Sequence, residues 1–190
     1  MALSFRYGRR IAALLLVALA AATAASEATS QPSHAQLALR TSTTYISKRY
    51  GYRIGLSGQY TMIQALLQWD GSFPFGASGM VDITIDAHDR KFIVAAKRVS
   101  SGMSLARWQA FVVGVKRQNC TRLRNFRSTS LGGVPAREFV NNCPGYDVIT
   151  LAALHKGRGY LLEYLAPTQF SAASNRRTYD AGRRSFRFSS

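Results

Sequence analysis

Residues 120–143 read CTRLRNFRSTSLGGVPAREFVNNC, and the reading of this stretch decides the fold. Residues 121–129 and 134–142 are rich in strand-forming side chains, and Ser130-Leu131-Gly132-Gly133 between them is turn material, so the stretch is expected to be a β-hairpin. A four-residue loop pairing Thr129 with Val134 sets a register that, carried to the ends, places Cys120 opposite Cys143. Cross-strand Cβ atoms lie about 4.5–5.5 Å apart, close to what a disulfide needs. A metal site would need further ligands that the neighbourhood lacks, so a Cys120–Cys143 bridge is the expectation. The same register sets Arg124 opposite Phe139 and Arg137 opposite Phe126, pairs able to stack as cation–π contacts.

Outward from the hairpin, Ser104 is a good N-cap for a helix whose apolar stripe is Leu105, Trp108, Phe111, Val112 and Val115. Lys116 and Arg117 suit the dipole at its C-terminal end. Upstream, residues 81–86 alternate as a half-buried strand does, with Asp82, Thr84, Asp86 and His88 on the face expected to be wet, and residues 91–99 form the next strand. Residues 45–47 and 52–56 look like short strands, and residues 59–69 are ambiguous between strand and helix. Residues 70–79 form an irregular Gly/Ser loop carrying Phe73 and Phe75, a candidate ligand or partner loop. Downstream come strands at 147–154 and 159–165 around a turn at 155–158, a helix at 169–182 behind Pro167, and a short strand at 185–188. No internal repeat is present. This order predicts an α+β fold, an antiparallel β-sheet flanked by helices in an α/β/α sandwich.

Four stretches add a resemblance. Tyr50-Gly51-Tyr52-Arg53-Ile54, Leu131-Gly132-Gly133-Val134-Pro135-Ala136-Arg137-Glu138, Gly159-Tyr160-Leu161-Leu162-Glu163-Tyr164-Leu165-Ala166-Pro167 and Ser185-Phe186-Arg187-Phe188 together resemble PsbP-like and Mog1-like domains over residues 45–188. The resemblance implies an antiparallel sheet with helices on both faces and a domain that binds or assembles rather than catalyses. Its motifs are structural, and it names no ligand. The chain departs from the pattern in its arginine-rich final helix.

The first 24 residues have the parts of a secretory signal: Arg6, Arg9 and Arg10, an apolar run over residues 11–22, and Ala22-Thr23-Ala24 as a cleavage site. The run is shorter than the roughly 20 residues of a membrane span. Residues 25–44 read as a flexible Ser/Ala/Thr/Gln-rich leader and residues 45–190 as one domain. Cleavage near Ala24 removes three arginines, leaving 22 Lys+Arg against 9 Asp+Glu, or +13. A secreted or periplasmic location would favour the disulfide, and the charge would favour anionic partners.

The constellations that carry chemistry are thin. There is no G-x-S-x-G elbow, and the three histidines, His34, His88 and His155, fall in the leader or in turns, so a small secreted hydrolase has little support. Asp82 to Ile93 lacks the glycine and the glutamate that a calcium loop needs at its sixth and twelfth positions, which hold Ala87 and Ile93. No catalytic, cofactor or metal residues are assigned. Arg122, Arg124 and Arg137 on the hairpin, with Arg177, Arg183 and Arg187 near the C-terminus, are the candidate anion-binding residues. Arg176, Asp180 and Arg184 follow at i, i+4 and i+8, so Asp180 partly neutralises that ladder. The expectation is an exported, non-enzymatic binding or assembly module. The alternative is an envelope-associated protein that grips anionic polymer or lipid through arginines. A small secreted hydrolase is the third alternative, and the partner of a binding module is either an anionic envelope polymer or a protein.

Overall fold

The computed structural model describes residues 42–73 and 79–189; the signal, nearly all of the leader, and Phe75 lie outside them. The chain runs β1 Ser42–Ser47, β2 Tyr52–Ser57, β3 Tyr60–Ile63, β4 Asp82–Asp86, β5 Lys91–Arg98, α1 Leu105–Arg117, β6 Thr121–Leu131, β7 Val134–Cys143, β8 Tyr146–His155, β9 Arg158–Pro167, α2 Ala172–Ser185 and β10 Arg187–Phe188. β1 begins inside the stretch assigned to the leader. Seven strands form one sheet in the order β3-β4-β5-β9-β8-β7-β6, and β1-β2-β10 form a second. Every pairing is antiparallel. The fold is α+β, as the element order implied.

The large sheet is covered on both faces. Helix α1 is capped by the Ser104 hydroxyl, which accepts from the Arg107 amide at 3.2 Å, and packs on β8 and β7. Trp108 and Val112 are fully buried beneath it, and Trp108 meets Trp69 edge-on at 6.2 Å. Residues 59–69 resolve their ambiguity as the short β3 followed by irregular chain. That irregular backbone is still satisfied: the Asp82 carboxylate accepts from Ala65 N at 2.7 Å, and Gly79 O accepts from Leu66 N and Leu67 N.

On the other face sit the small sheet and α2. Tyr179 of α2 is fully buried against Tyr164, and Phe186 stacks on Tyr52 at 4.9 Å. Gly182 lets the helix approach, because a Cβ there would lie 2.6 Å from Phe92 Cζ. The cross-strand rows on this face include Glu138–Leu151–Leu162–Val94–Asp82 and Val140–Ile149–Tyr164–Phe92–Thr84. Asp82 and Thr84 are therefore buried rather than on a wet face. Alternation shows which residues share a face; what covers that face decides which side is dry.

The hairpin differs from expectation in its details. Its loop is two residues, not four: Leu131 pairs with Val134 around Gly132 and Gly133, both at positive φ. That register alone would misalign the cysteines by two positions. Two β-bulges restore it, with shifts between Thr121 and Arg124 and between Arg124 and Arg127, where Arg122 and Asn125 adopt φ of 53° and 57°. Cys120 and Cys143 consequently meet and are bridged, Cα to Cα 4.2 Å. The expected cation–π pairs do not form: Arg124 lies opposite Val140, Arg137 opposite Ser128, and Phe126 stacks on Phe139 at 5.3 Å instead.

Lys116 is likewise not a solvated cation at the end of α1. Its side chain is fully buried and its ammonium lies 2.8 Å from Glu163, also fully buried, on β9. Thr150 bridges onward, its hydroxyl 3.3 Å from Glu163 and 3.1 Å from Asn141 Oδ1.

Candidate ligand cavity

The bulge at Asn125 has a consequence for side-chain placement. Residues three apart on a regular strand point to opposite faces. Arg124 and Arg127 pair with Val140 and Glu138, which are two apart, so one extra residue on β6 turns both arginines to the α2 face. There they meet Arg176 of α2, whose start is fixed by the Ser171 cap accepting from Ser174 N at 3.3 Å.

Glu138 joins these elements. Its carboxylate, 1% exposed, accepts from Arg127 Nε at 2.7 Å, Arg176 Nη1 at 2.6 Å and the Tyr179 hydroxyl at 2.9 Å. Arg176 also forms an ion pair with Asp180 at 2.9 Å. Burial pushes the Glu138 carboxyl up to about 7, with the Tyr179 hydroxyl opposing, and the two guanidiniums also favour the charged form. Tyr179 is raised well above its ordinary value by burial and then by Glu138. Burial raises Asp180 most strongly of any single cause, but hydrogen bonds from Arg176 and the charges of Arg176, Arg183 and Arg184 together outweigh it, and the carboxyl stays below the usual range.

Beside this node is a cavity of about 470 Å³. Its apolar wall is Val140, Ile149 and Tyr164, and Arg124, Asn125 and Asn175 stand among its polar groups. Asn175 is 4% exposed, donates to Phe170 O at 3.4 Å, and leaves its Oδ1 without a hydrogen-bond partner. Arg127 and Arg176 are held by Glu138, whereas Arg124 forms no ion pair among the described residues. Concave sites of about 300–1,000 Å³ with an apolar wall and few polar groups suit small ligands.

The candidate arginines do not form one surface. Arg124 opens on the cavity, but Arg137 alternates with Glu138 along β7, faces the α1 side, and donates to Ser128 Oγ at 2.6 Å. Arg122 sits exposed in the outer bulge, and Arg177 is exposed on α2. Arg183 lies 3.6 Å from Asp180 and donates to Ser130 O at 2.9 Å. Arg187 is on β10 opposite Arg53. Phe73 is partly buried, its ring 4.5 Å from the Lys116 ammonium. Sequence reasoning did not single out Glu138, although an acid between Ala136 and Val140 on a hairpin rich in arginine is the signature of a buried anchor.

No family model and no curated protein matches the chain. Among solved structures, it is similar to the solution structure of cyanobacterial PsbP (CyanoP) from Synechocystis sp. PCC 6803, with TM-score 0.57 and 13% identity over 80% of this chain and 95% of that one. The chain has a PsbP-like fold.

Proposed function

We propose that the chain is an exported, non-enzymatic binding or assembly module whose ligand seat is the cavity between α2 and β6–β8. The observation that carries this reading is the cavity's construction: an apolar wall of Val140, Ile149 and Tyr164 beside Arg124, which enters no ion pair among the described residues, and Asn175, whose Oδ1 is left without a donor. A small organic acid with an aromatic or acyl body that also carries an O–H or N–H matches it: the anionic group toward Arg124, the donor toward Asn175 Oδ1 on a lining that also holds Asp147 and Glu138, and the body against the wall. Export is supported by the signal-like N-terminus and by the disulfide. Among the described residues no helix is long and apolar enough to cross a membrane.

A thermal-shift panel of small carboxylates and phosphate esters, run at about 50 mM and about 200 mM salt, tests the reading. A saturable shift that survives the higher salt and is lost in Arg124→Ala supports it. A shift that Arg124→Ala leaves intact moves the ligand elsewhere.

The second reading, charge-driven adhesion to anionic polymer or lipid, draws on the net excess of cations. It needs cations that no carboxylate already holds, and on the α2 face Arg127, Arg176 and Arg183 do not qualify.

A further inference from the structure

Cations without acidic partners gather where the β1–β2 and β8–β9 turns meet. A pocket of about 360 Å³ there is lined by Lys48, Arg49, Lys156 and Arg158, with His155 and Ser189 beside them. None of its lining residues is acidic. Among the described residues none of its four cations enters an ion pair.

Two independent features mark the place as strained by charge and by backbone. The sheet register sets Arg98 directly opposite Arg158, which lines the pocket. Like charges directly opposite on neighbouring strands destabilise a sheet. Lys156 takes φ of 46° as the first residue of the two-residue turn with Gly157, a position that asparagine, aspartate or glycine fills at lower cost. Strain of this kind persists where the surroundings hold it and clusters at ligand clamps.

The frame around the cations is tied down. Arg158 Nη1 donates to Arg49 O at 3.0 Å, Arg49 Nε to Ala65 O at 3.0 Å, Ser189 N to Gly51 O at 2.9 Å, and the Tyr160 hydroxyl to Tyr50 O at 2.7 Å. His155 stacks on Phe188 with ring centroids 4.1 Å apart. Burial and the neighbouring Lys156 hold its imidazole below the ordinary value, which leaves it neutral near pH 7 and able to donate one N–H.

We propose that this pocket binds a phosphate group. Several cations around one concavity, two of them guanidiniums, match the charge and oxygen geometry of phosphate better than a single carboxylate. A phosphate there would offset the charge of the four lining cations, including Arg158 of the Arg98–Arg158 pair. This inference stands apart from the cavity at α2, which has its own arginine and its own test.

The decisive experiment is calorimetric titration of the purified, disulfide-bonded protein with pyrophosphate, paired with co-sedimentation on phosphatidylglycerol and phosphatidylcholine vesicles. Three proteins are compared: wild type, the double variant Lys48→Ser/Lys156→Gly, and Arg124→Ala. Wild type should bind pyrophosphate saturably. The double variant should bind at least about tenfold more weakly, the loss expected for one charge-assisted hydrogen bond. Arg124→Ala should be unaffected. Lys156→Gly relaxes the turn, so an unchanged or higher melting temperature separates lost binding from lost folding. Binding to phosphatidylglycerol vesicles that pyrophosphate displaces assigns the phosphate to a lipid headgroup. Pyrophosphate binding with no vesicle binding assigns it to a soluble phosphorylated molecule. The proposal is overturned if neither probe binds, if the double variant binds as wild type does, or if only Arg124→Ala loses binding.

Discussion

Replacing Glu163 with leucine leaves the Lys116 ammonium buried with its carboxylate gone. Both side chains are fully buried, 2.8 Å apart. Desolvation makes such a pair poor value as a stabiliser when intact, yet removal of one partner typically costs about 3–5 kcal/mol, because the remaining charge stays out of water. Domains hold only about 5–15 kcal/mol in total, so the loss is a large share. At about 2–4 °C per kcal/mol for a chain of this size, Glu163→Leu should lower the melting temperature by roughly 6–20 °C. The double substitution Lys116→Met/Glu163→Leu removes both charges at similar volume and should recover most of that loss, or exceed wild type. Denaturant unfolding of wild type, both single variants and the double variant closes the cycle. A Glu163→Leu loss under about 1 kcal/mol, or single losses that simply add in the double variant, would refute the claim that burial makes the two charges interdependent.

Three further outcomes are expected. Reducing the bridge, or replacing both cysteines with serine, opens a loop with a sequence separation of 23 and should cost about 3 kcal/mol, measurable as a fall in the urea midpoint. Gly182→Ala puts a methyl 2.6 Å from Phe92 Cζ and should cost about 1–3 kcal/mol, whereas Gly114→Ala, where nothing lies within 4 Å, should be neutral or stabilising. Because His155 is held down by burial and by Lys156, folding favours its neutral form, so its contribution is present above the unfolded value near 6.5 and is lost as pH falls from there through the folded value. Lys156→Gly should raise the His155 pKa measured by NMR; an unchanged value would mean that Lys156 exerts no effect on it.

The fold was legible because its signals are local and redundant: the Ser104 cap, the Trp108 stripe, the alternation at β4, and Pro167 ahead of α2. The hairpin shows how a correct endpoint can hide compensating details. A four-residue loop with regular strands and a two-residue loop with two bulges both align Cys120 with Cys143. Asparagine at 125 is a common left-handed residue, but arginine at 122 is not, so nothing in the pattern announced both bulges. Those bulges decide which arginines reach α2. Chain proximity grouped Arg122, Arg124 and Arg137, while the strand period sends Arg137 to the other face. The placement of Asp82 and Thr84 failed for a related reason, since a sheet covered on both faces has no wet side for alternation to identify. Glu163, an acid inside the apolar run of β9, carried a readable signal of a buried partner, because no lone carboxylate is left charged in a core.

The central claim is that the space between α2 and β6–β8 receives a ligand. Val140→Trp tests it most directly, since it fills the cavity from its apolar wall and leaves every arginine in place. Calorimetric titration of wild type and Val140→Trp with the best small anion from the thermal panel should give saturable binding to wild type and none to the variant, with both proteins folded. Equal binding by both would contradict the account and place the ligand outside the cavity.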